Sequence, residues 1–171
     1  MSTARRPAFD TITHSPEQTR QLAATLGRMM PRGSVVLLSG EIGAGKTTFA
    51  QGFARALKTG DHVQSPTFTI VSEHRGTGTD GEAVRLYHID LYRLEGDSDL
   101  TSVGLDDYLD DPDGVSLIEW PERAGPYLPE DYLLVELTPV ADEKRSLRIT
   151  PCGDVYRDVV DRFRGEVVGG R

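Results

Sequence analysis

The stretch that decides the fold is Gly40-Glu41-Ile42-Gly43-Ala44-Gly45-Lys46-Thr47. It fits the phosphate-binding loop pattern G-x-x-x-x-G-K-[ST] at every fixed position. An apolar run of strand length, residues 35–38, precedes it, and residues 47–57 follow with apolar side chains at helical spacing. This order of strand, glycine turn and helix is the context the motif requires, and it argues against a surface turn that matches by chance.

The residue types of this loop indicate its chemistry. Glycines let the backbone curl so that successive N–H groups point at one phosphate, and the helix N-terminus adds partial positive charge there. We expect Lys46 to reach the outer phosphates and the Thr47 hydroxyl to take one place on Mg²⁺. Residues 40–47, together with Thr48, are therefore predicted to bind the phosphates of a nucleotide.

Length and charge limit the possible functions. A chain of 171 residues suggests one domain, 1–171, with a single core. The net charge of −8 argues against direct wrapping of nucleic acid, because phosphate binding needs clustered Lys and Arg. RNA would therefore be reached only through a partner. Cys152 is the only cysteine, and no run approaches the length of a membrane helix, so we expect a cytoplasmic protein without disulfides.

Periodicity and turn residues predict the elements on both sides of the loop. Ser15 is expected to cap a helix that begins at Pro16, with Gln18 closing a capping box. Residues up to about 9 fit a loose lead-in or an edge strand. The later predicted elements are a loop that becomes a strand at 63–71, a turn at 75–81, a strand at 83–89, helical turns at 97–103 and 105–109, a strand at 115–119, a hairpin of strands 132–140 and 146–150, a helix at 155–163 and a frayed, flexible tail from about 165.

Two carboxylates each end a predicted strand, Asp90 and Glu119. The second strand should lie beside the strand of the phosphate loop, with Glu119 emerging at the carboxyl end where ligands bind in open α/β sheets. Hydrolysis needs charge neutralisation and an oriented nucleophile. One carboxylate is expected to hold Mg²⁺ and the other to position water, without the sequence assigning which. The alternatives are an ordinary strand-end acid for Glu119 and a helix cap or an ion pair with Arg93 for Asp90.

Neighbouring residues allow more than one interpretation. The hydroxyls of residues 65–67 fit either a switch-like loop or a plain turn. Trp120 fits either packing against the ligand or a place in the core. His88 shares a strand face with Asp90, yet core or surface packing is favoured over catalysis. Because the chain has neither an N-K-x-D guanine-recognition motif nor an arginine-rich lid segment, adenine is the favoured base.

Four blocks in one order point to a family. They are GEIGAGKTTF (40–49), SPTF (65–68), YHIDLYRL (87–94) and LIEWPE (117–122). In order and spacing they resemble the bacterial TsaE family, also called YjeE, over about residues 15–149. The departures are small: Glu41 stands where aspartate is common, and the hairpin at 76–81 looks long.

The resemblance implies a fold and a function. The fold is a P-loop NTPase α/β domain, with a central parallel sheet flanked by antiparallel strands and helices. The family is a small Mg²⁺-dependent ATPase required for threonylcarbamoyladenosine in tRNA, binding ATP and ADP. It works with the TsaB and TsaD proteins, while TsaC supplies the activated threonylcarbamoyl-adenylate. Its hydrolysis of ATP is thought to reset the TsaB–TsaD complex between turnovers, and tRNA is held by these partners.

The family pattern also implies roles for single residues of this chain. Thr47 and Glu119 lie at the Mg²⁺ site, Asp90 is essential for hydrolysis, and Trp120 lies close to the nucleotide. We accordingly take Lys46, Asp90 and Glu119 as the catalytic residues, with Thr47, Asp90 and Glu119 as metal ligands, directly or through water. The resemblance also implies three candidates for contacts with the other end of the nucleotide: Ser15, Thr19 and Arg145.

Two rival functions remain open at this point. A small-molecule kinase would need an acceptor pocket and a mobile arginine-bearing lid, and neither is clear in the sequence. A nucleotide-sensing module would change partner affinity through binding alone. Glu119→Ala and Asp90→Ala separate the rivals, because an ATPase would keep nucleotide binding and lose turnover, whereas a sensor would still activate its partner. Lys46→Ala would weaken all of these functions.

Overall fold

The computed structural model describes residues 8–60, 70–94 and 103–169. The seven strands are β1 Phe9–Thr13, β2 Val35–Ser39, β3 Val71–Thr77, β4 Ala83–Asp90, β5 Gly114–Glu119, β6 Tyr132–Pro139 and β7 Arg145–Cys152. The α-helices are α1 Pro16–Met29, α2 Lys46–Ala56, α3 Leu105–Leu109 and α4 Asp154–Gly169. Two 3₁₀ turns follow β5, at Pro121–Arg123 and Gly125–Tyr127.

All seven strands form one sheet, in the order β1-β7-β6-β2-β5-β4-β3. The four central strands β6, β2, β5 and β4 are parallel to one another. The pairs β1–β7, β6–β7 and β3–β4 are antiparallel. A parallel centre with antiparallel flanks is the predicted fold class, and the strand of Glu119 is the neighbour of β2, as expected.

Apolar residues on both faces of the central strands explain why the sheet is covered on both sides. Val36 and Leu38 of β2 point into the cluster that contains α1, α2 and α4, whereas Val35 and Leu37 point into the cluster with α3 and the 3₁₀ turns. Strands buried on both faces are typical of parallel sheets. The core therefore fixes β2 in the middle of the molecule, and with it the start of the glycine loop.

The packing of α1 against α2 depends on one glycine. A Cβ atom added at Gly52 of α2 would lie 2.2 Å from the backbone oxygen of Arg20 in α1. Arg20 Nε also donates to Gln51 Oε1 across this interface, at 3.1 Å. Gly52 thus permits the close approach that holds α2, the helix that follows the glycine loop, against α1.

The first hairpin differs from its prediction. Residues 75–77, expected in the turn, belong to β3 and pair in register with β4. Thr77 N–H donates to Leu57 O at 2.7 Å, so the end of α2 holds the extended strand in place. The turn itself is confined to residues 78–82, where Gly78 N–H donates to Glu82 O at 2.9 Å. The contact with α2 is long-range, and for that reason the glycine-rich local sequence gave the wrong boundary.

Two predicted helix ends, the start of α1 and the end of α4, also differ in detail from the structure. Ser15 caps α1 by accepting from Gln18 N–H, as expected, but the Gln18 side chain accepts from His14 N–H, one residue before the cap. Helix α4 extends past Gly165, where a frayed end was predicted, to Gly169. Val167 packs against the core from this last part, which gives the extension an apolar contact.

Some predictions fall on residues outside the described ranges. These are the loop at 63–69, including the hydroxyls of 65–67, and most of the helical turn at 97–103. The helix at 105–109 and the hairpin of β6 and β7 are confirmed. Within the described residues, no helix has the length and apolar character needed to cross a lipid bilayer.

Candidate functional site

The candidate site lies at the carboxyl ends of β2, β5 and β4. Leu38 of β2 is the register partner of Glu119, and Glu119 is in turn the register partner of Asp90. The glycine loop leaves β2 at this same edge of the sheet, which brings it beside both carboxylates. Together they surround a cavity of about 360 Å³, lined by Ile42, Gly43, Gly45, Lys46, Thr47, Thr48, Asp90, Tyr92, Glu119, Trp120 and Arg145.

The glycine loop has the shape that its residue types predicted. A Cβ atom at Gly40 would lie 2.7 Å from Leu137 O of β6, so only glycine fits there. Gly45 has a φ of 104°, in the left-handed region that favours glycine, and it forms the N-cap of α2 without a side-chain cap. The N-terminal turn of α2 therefore opens into the cavity. Backbone N–H groups and a helix dipole at such a position favour an anion.

Three residues of the glycine loop shape its turn but do not line the cavity. Ala44 is buried, and its N–H donates to Glu41 O at 3.0 Å. Gly40, Glu41 and Ala44 therefore shape the loop without lining the cavity, whereas Ile42, Gly43, Gly45, Lys46, Thr47 and Thr48 line it.

Lys46 is held at the floor of the cavity. It is only 6% exposed, and its ammonium donates to Gly40 O. The Nζ atom also lies 3.9 Å from the centroid of the Trp120 ring. Burial lowers the pKa of Lys46, while the nearby carboxylates of Glu119, Asp90 and Glu122 act in the opposite direction. The cation thus lines the same cavity as the carboxylates of Asp90 and Glu119 and interacts with both electrostatically.

Glu119 is a buried carboxylate with a specific partner. It is 2% exposed, and its Oε2 lies 2.6 Å from Nε2 of His88, which is fully buried. An ordinary strand-end acid would lie in solvent, so the burial of Glu119 favours a functional interpretation. The sequence prediction placed His88 only in packing, and its contact with Glu119 was missed.

Asp90 is closer to the surface than Glu119. Its Oδ1 accepts a hydrogen bond from Tyr92 N–H at 3.0 Å, which closes the turn after β4. Burial raises the pKa of Asp90, and the negative charge of Glu119 raises it further. No ion pair joins Asp90 to Arg93 among the described residues, so that alternative is not supported. A carboxyl group with a raised pKa beside a cation and a second acid is a candidate for proton transfer.

Trp120 follows Glu119 in a strained conformation. Its φ of 58° lies in the left-handed region, which bulky side chains rarely adopt. The ring centroid lies 5.0 Å from that of Tyr92, Lys46 Nζ lies over the ring, and the side chain also packs against the core. Trp120 thus lines the cavity and packs against the core, and its contact with the ligand stays a prediction. The sequence prediction did not include Tyr92 in the site, although this residue belongs to the block YHIDLYRL (87–94) that also contains Asp90.

The residues matched to the other end of the nucleotide are placed differently from one another. Arg145 lines the cavity and donates from Nη2 to Gly43 O at 3.2 Å. Ser15 caps α1, and the hydroxyl of the buried Thr19 forms a hydrogen bond of 2.7 Å with Thr13 Oγ1. Neither Ser15 nor Thr19 lines the cavity. Thr13 is the register partner of Arg145, which places the start of α1 at the same end of the sheet.

The oxygen donors of the site fit Mg²⁺. Thr47, Asp90 and Glu119 offer one hydroxyl and two carboxylates around one cavity. Among the described residues, no group of three His, Cys, Asp or Glu side chains could hold a metal by itself. Mg²⁺ at nucleotide sites uses one or two carboxylates together with phosphate oxygens, so these donors suit a metal that arrives with a nucleotide.

The fold and this site define a P-loop NTPase-like protein. The crystal structure of YdiB from Bacillus subtilis superposes with a TM-score of 0.74, is 31% identical, and covers 93% of this chain and 95% of its own. The family model described as "Threonylcarbamoyl adenosine biosynthesis protein TsaE" matches residues 13–147. The chain therefore belongs to the TsaE family.

Individual relatives agree with this membership. A tRNA threonylcarbamoyladenosine biosynthesis protein TsaE from Bacillus subtilis is 38% identical over 144 residues, covering 84% of this chain and 86% of the relative. The protein of the same name from Nostoc is 40% identical over 147 residues, with the same two coverages.

Proposed function

We propose that this chain is an Mg²⁺-dependent ATPase required for threonylcarbamoyladenosine modification of tRNA, acting on a TsaB–TsaD complex in the cytoplasm. One observation carries the hydrolytic part of the proposal. Asp90 and Glu119 are register partners at the end of parallel strands, and they line the cavity of the glycine loop together with Lys46. A loop that only bound phosphate would need neither carboxylate.

The residues divide the work of hydrolysis among them. Backbone N–H groups of the glycine loop and the start of α2 hold the phosphates of ATP or ADP. Lys46 leaves its contact with Gly40 O and neutralises charge on the outer phosphates. Thr47 and Glu119 are the residues that would hold Mg²⁺. Asp90 would bind the metal ion as well, either directly or through a water molecule. Bound Mg²⁺ would stabilise negative charge that develops on the phosphate oxygens.

Asp90 is the residue we assign to the attacking water. Its raised pKa, caused by burial and by Glu119, makes it a stronger base than an exposed aspartate. Its Oδ1 accepts a hydrogen bond from Tyr92 N–H at 3.0 Å, and this bond fixes the orientation of the carboxyl group beside the cavity. Trp120 and Arg145 close two sides of that cavity, and both are proposed to contact the nucleotide.

The role in tRNA modification rests on family membership and on charge. The relatives from Bacillus subtilis and Nostoc carry the name of that pathway. The net charge of −8 suits a subunit that acts on proteins, with tRNA bound by TsaB and TsaD. ATP hydrolysis in this chain is proposed to reset that complex between rounds of transfer.

A reconstitution experiment tests the proposal. Phosphate release from ATP is measured with Mg²⁺, for the chain alone and with TsaB and TsaD. We expect slow release alone and faster release with the pair. A chain that binds neither adenine nucleotides nor the TsaB–TsaD pair would refute the proposal. Phosphorylation of a small hydroxylated acceptor would instead favour a kinase.

A further inference from the structure

His88 and Glu119 form a pair enclosed by protein. The side chain of His88 is 0% exposed and that of Glu119 is 3% exposed, and the two bonded atoms lie 2.6 Å apart. Burying a carboxylate is costly unless hydrogen-bond donors compensate for the lost water. His88 supplies one such donor from β4, the strand next to β5.

The contact between Nε2 of His88 and Oε2 of Glu119 suits a hydrogen on either atom. A carboxylate can only accept, so with Glu119 ionised the donor is Nε2 of His88. The other ring nitrogen, Nδ1, is buried and has no hydrogen-bond partner among the described residues. A hydrogen at Nδ1 would therefore be unsatisfied, which leaves His88 as a single donor directed at one oxygen of Glu119.

The backbone of Glu119 is fixed as well. Leu91 N–H donates to Glu119 O at 3.1 Å, just beyond the end of β4. The main chain and one carboxylate oxygen are thus both tied to β4, while the side chain also lines the cavity. Ligand carboxylates are commonly held by such outer hydrogen bonds, which set their direction before the metal binds.

We propose that His88 is a positioning residue for the metal site: it orients Glu119 so that the nucleotide complex binds its divalent cation tightly. This inference rests on the proposed function. His88 itself does not line the cavity, and it acts only through Glu119. Its loss should therefore weaken metal binding more than nucleotide binding.

The test uses Mn²⁺ in place of Mg²⁺, with binding to the ADP complex followed by electron paramagnetic resonance. His88→Leu removes the donor at similar volume, and His88→Gln keeps an N–H group near the position of Nε2. We expect His88→Leu to weaken Mn²⁺ binding by about 10-fold to 100-fold. ADP affinity without metal should stay nearly unchanged, and His88→Gln should recover most of the loss.

Ile89→Val is the control for a general loss of stability, because it removes one buried methyl group from the same strand and leaves both His88 and Glu119 in place. This control should lower the melting temperature without altering Mn²⁺ binding. If His88→Leu does not fold, His88→Asn replaces it, since the shorter amide does not reach Glu119. In the unsubstituted ADP complex, ¹⁵N NMR should detect the hydrogen on Nε2 of His88, with a resonance that shifts when Mg²⁺ is added.

The outcomes separate this inference from the function on which it rests. Mn²⁺ affinity that is unchanged in His88→Leu or His88→Asn, but lost in Glu119→Gln, would overturn the positioning role alone. A hydrogen found on Nδ1 of His88, with none on Nε2, would overturn it too. Mn²⁺ affinity that is unchanged even in Glu119→Gln would instead refute the proposed metal site.

Discussion

Asp90 and Glu119 lie side by side as register partners on β4 and β5, at the end of the sheet where the glycine loop begins. The pair places two acids in one partly buried site, and this placement raises the pKa of Asp90 through burial and mutual repulsion. That arrangement is unfavourable for the folded state, since it places one acid beside another in a partly buried site. Functional sites commonly retain such arrangements at a cost in stability.

Replacing either carboxylate by its amide should stop hydrolysis while nucleotide binding survives. Glu119→Gln and Asp90→Asn keep the size of each side chain but remove the charge needed at the metal and at the water. We expect turnover to fall by about 100-fold or more, the scale of losing one transition-state contact. ADP binding by calorimetry should change little. Asp10→Asn, on the exposed edge of β1, is the control and should retain full turnover.

Asp90→Asn should also stabilise the nucleotide-free protein near neutral pH. Because the folded pKa of Asp90 is raised above 3.8, ionisation of this group disfavours the folded state, and the penalty grows as pH rises through the folded pKa. The melting temperature should increase by roughly 1–4 °C, as for a gain of about 0.5–1 kcal/mol in a chain of this length. At pH below both pKa values the difference should vanish.

Asp111→Asn should shift the melting temperature in the opposite direction to Asp90→Asn. The guanidinium of Arg85 holds the pKa of Asp111 well below its usual range, through hydrogen bonds of 2.7 and 2.9 Å. This carboxylate therefore contributes stability above its unfolded pKa, and the contribution is lost as pH falls. Asp111→Asn should lower the melting temperature at pH 7. Equal shifts for both variants would contradict the electrostatic account.

The only tryptophan should report nucleotide binding. Trp120 lies over Lys46 Nζ at 3.9 Å, and Lys46 must leave Gly40 O to reach a phosphate. Addition of ADP with Mg²⁺ should therefore change tryptophan fluorescence in a saturable manner. Lys46→Ala should remove most of the response by weakening binding. A titration that leaves the fluorescence unchanged while calorimetry shows binding would argue against this arrangement of Trp120.

Two helical glycines should respond in opposite directions to alanine. Gly52→Ala places a Cβ atom 2.2 Å from Arg20 O, so α1 and α2 must separate, at a cost of about 2–3 kcal/mol. Gly165→Ala meets no atom within 4 Å in α4 and should stabilise by about 0.5–1 kcal/mol. Urea unfolding measures both. A neutral Gly52→Ala would show that the helix contact adapts more readily than the geometry indicates.

Local patterns predicted most of the fold. The glycine loop, the cap at Ser15 and the strand ending at Glu119 are encoded within a few residues each, and their neighbours in the sheet follow from simple α/β rules. The extent of β3 was not predictable in this way, because residues 75–77 are held extended by a contact with the end of α2.

The sequence predicted which residues lie near the candidate site better than it predicted the contacts among them. Strand alternation placed His88 on the face of Asp90, and the neighbouring strand carries Glu119, but sequence does not give the 2.6 Å contact between them. Histidine in a strand is compatible with plain packing. In the register of β4 against β5, His88 lies opposite Leu117, so only the side-chain positions show its contact with Glu119, two residues further along β5. The strained backbone of Trp120 likewise has no sequence signal beyond Pro121 after it.

The most direct test of the central claim is phosphate release from ATP by the purified chain, with Mg²⁺, TsaB and TsaD present. We expect release that the TsaB–TsaD pair accelerates and that Glu119→Gln abolishes while ADP binding persists. Equal phosphate release by the Glu119→Gln variant, at matched protein concentration, would contradict the claim that this site hydrolyses ATP.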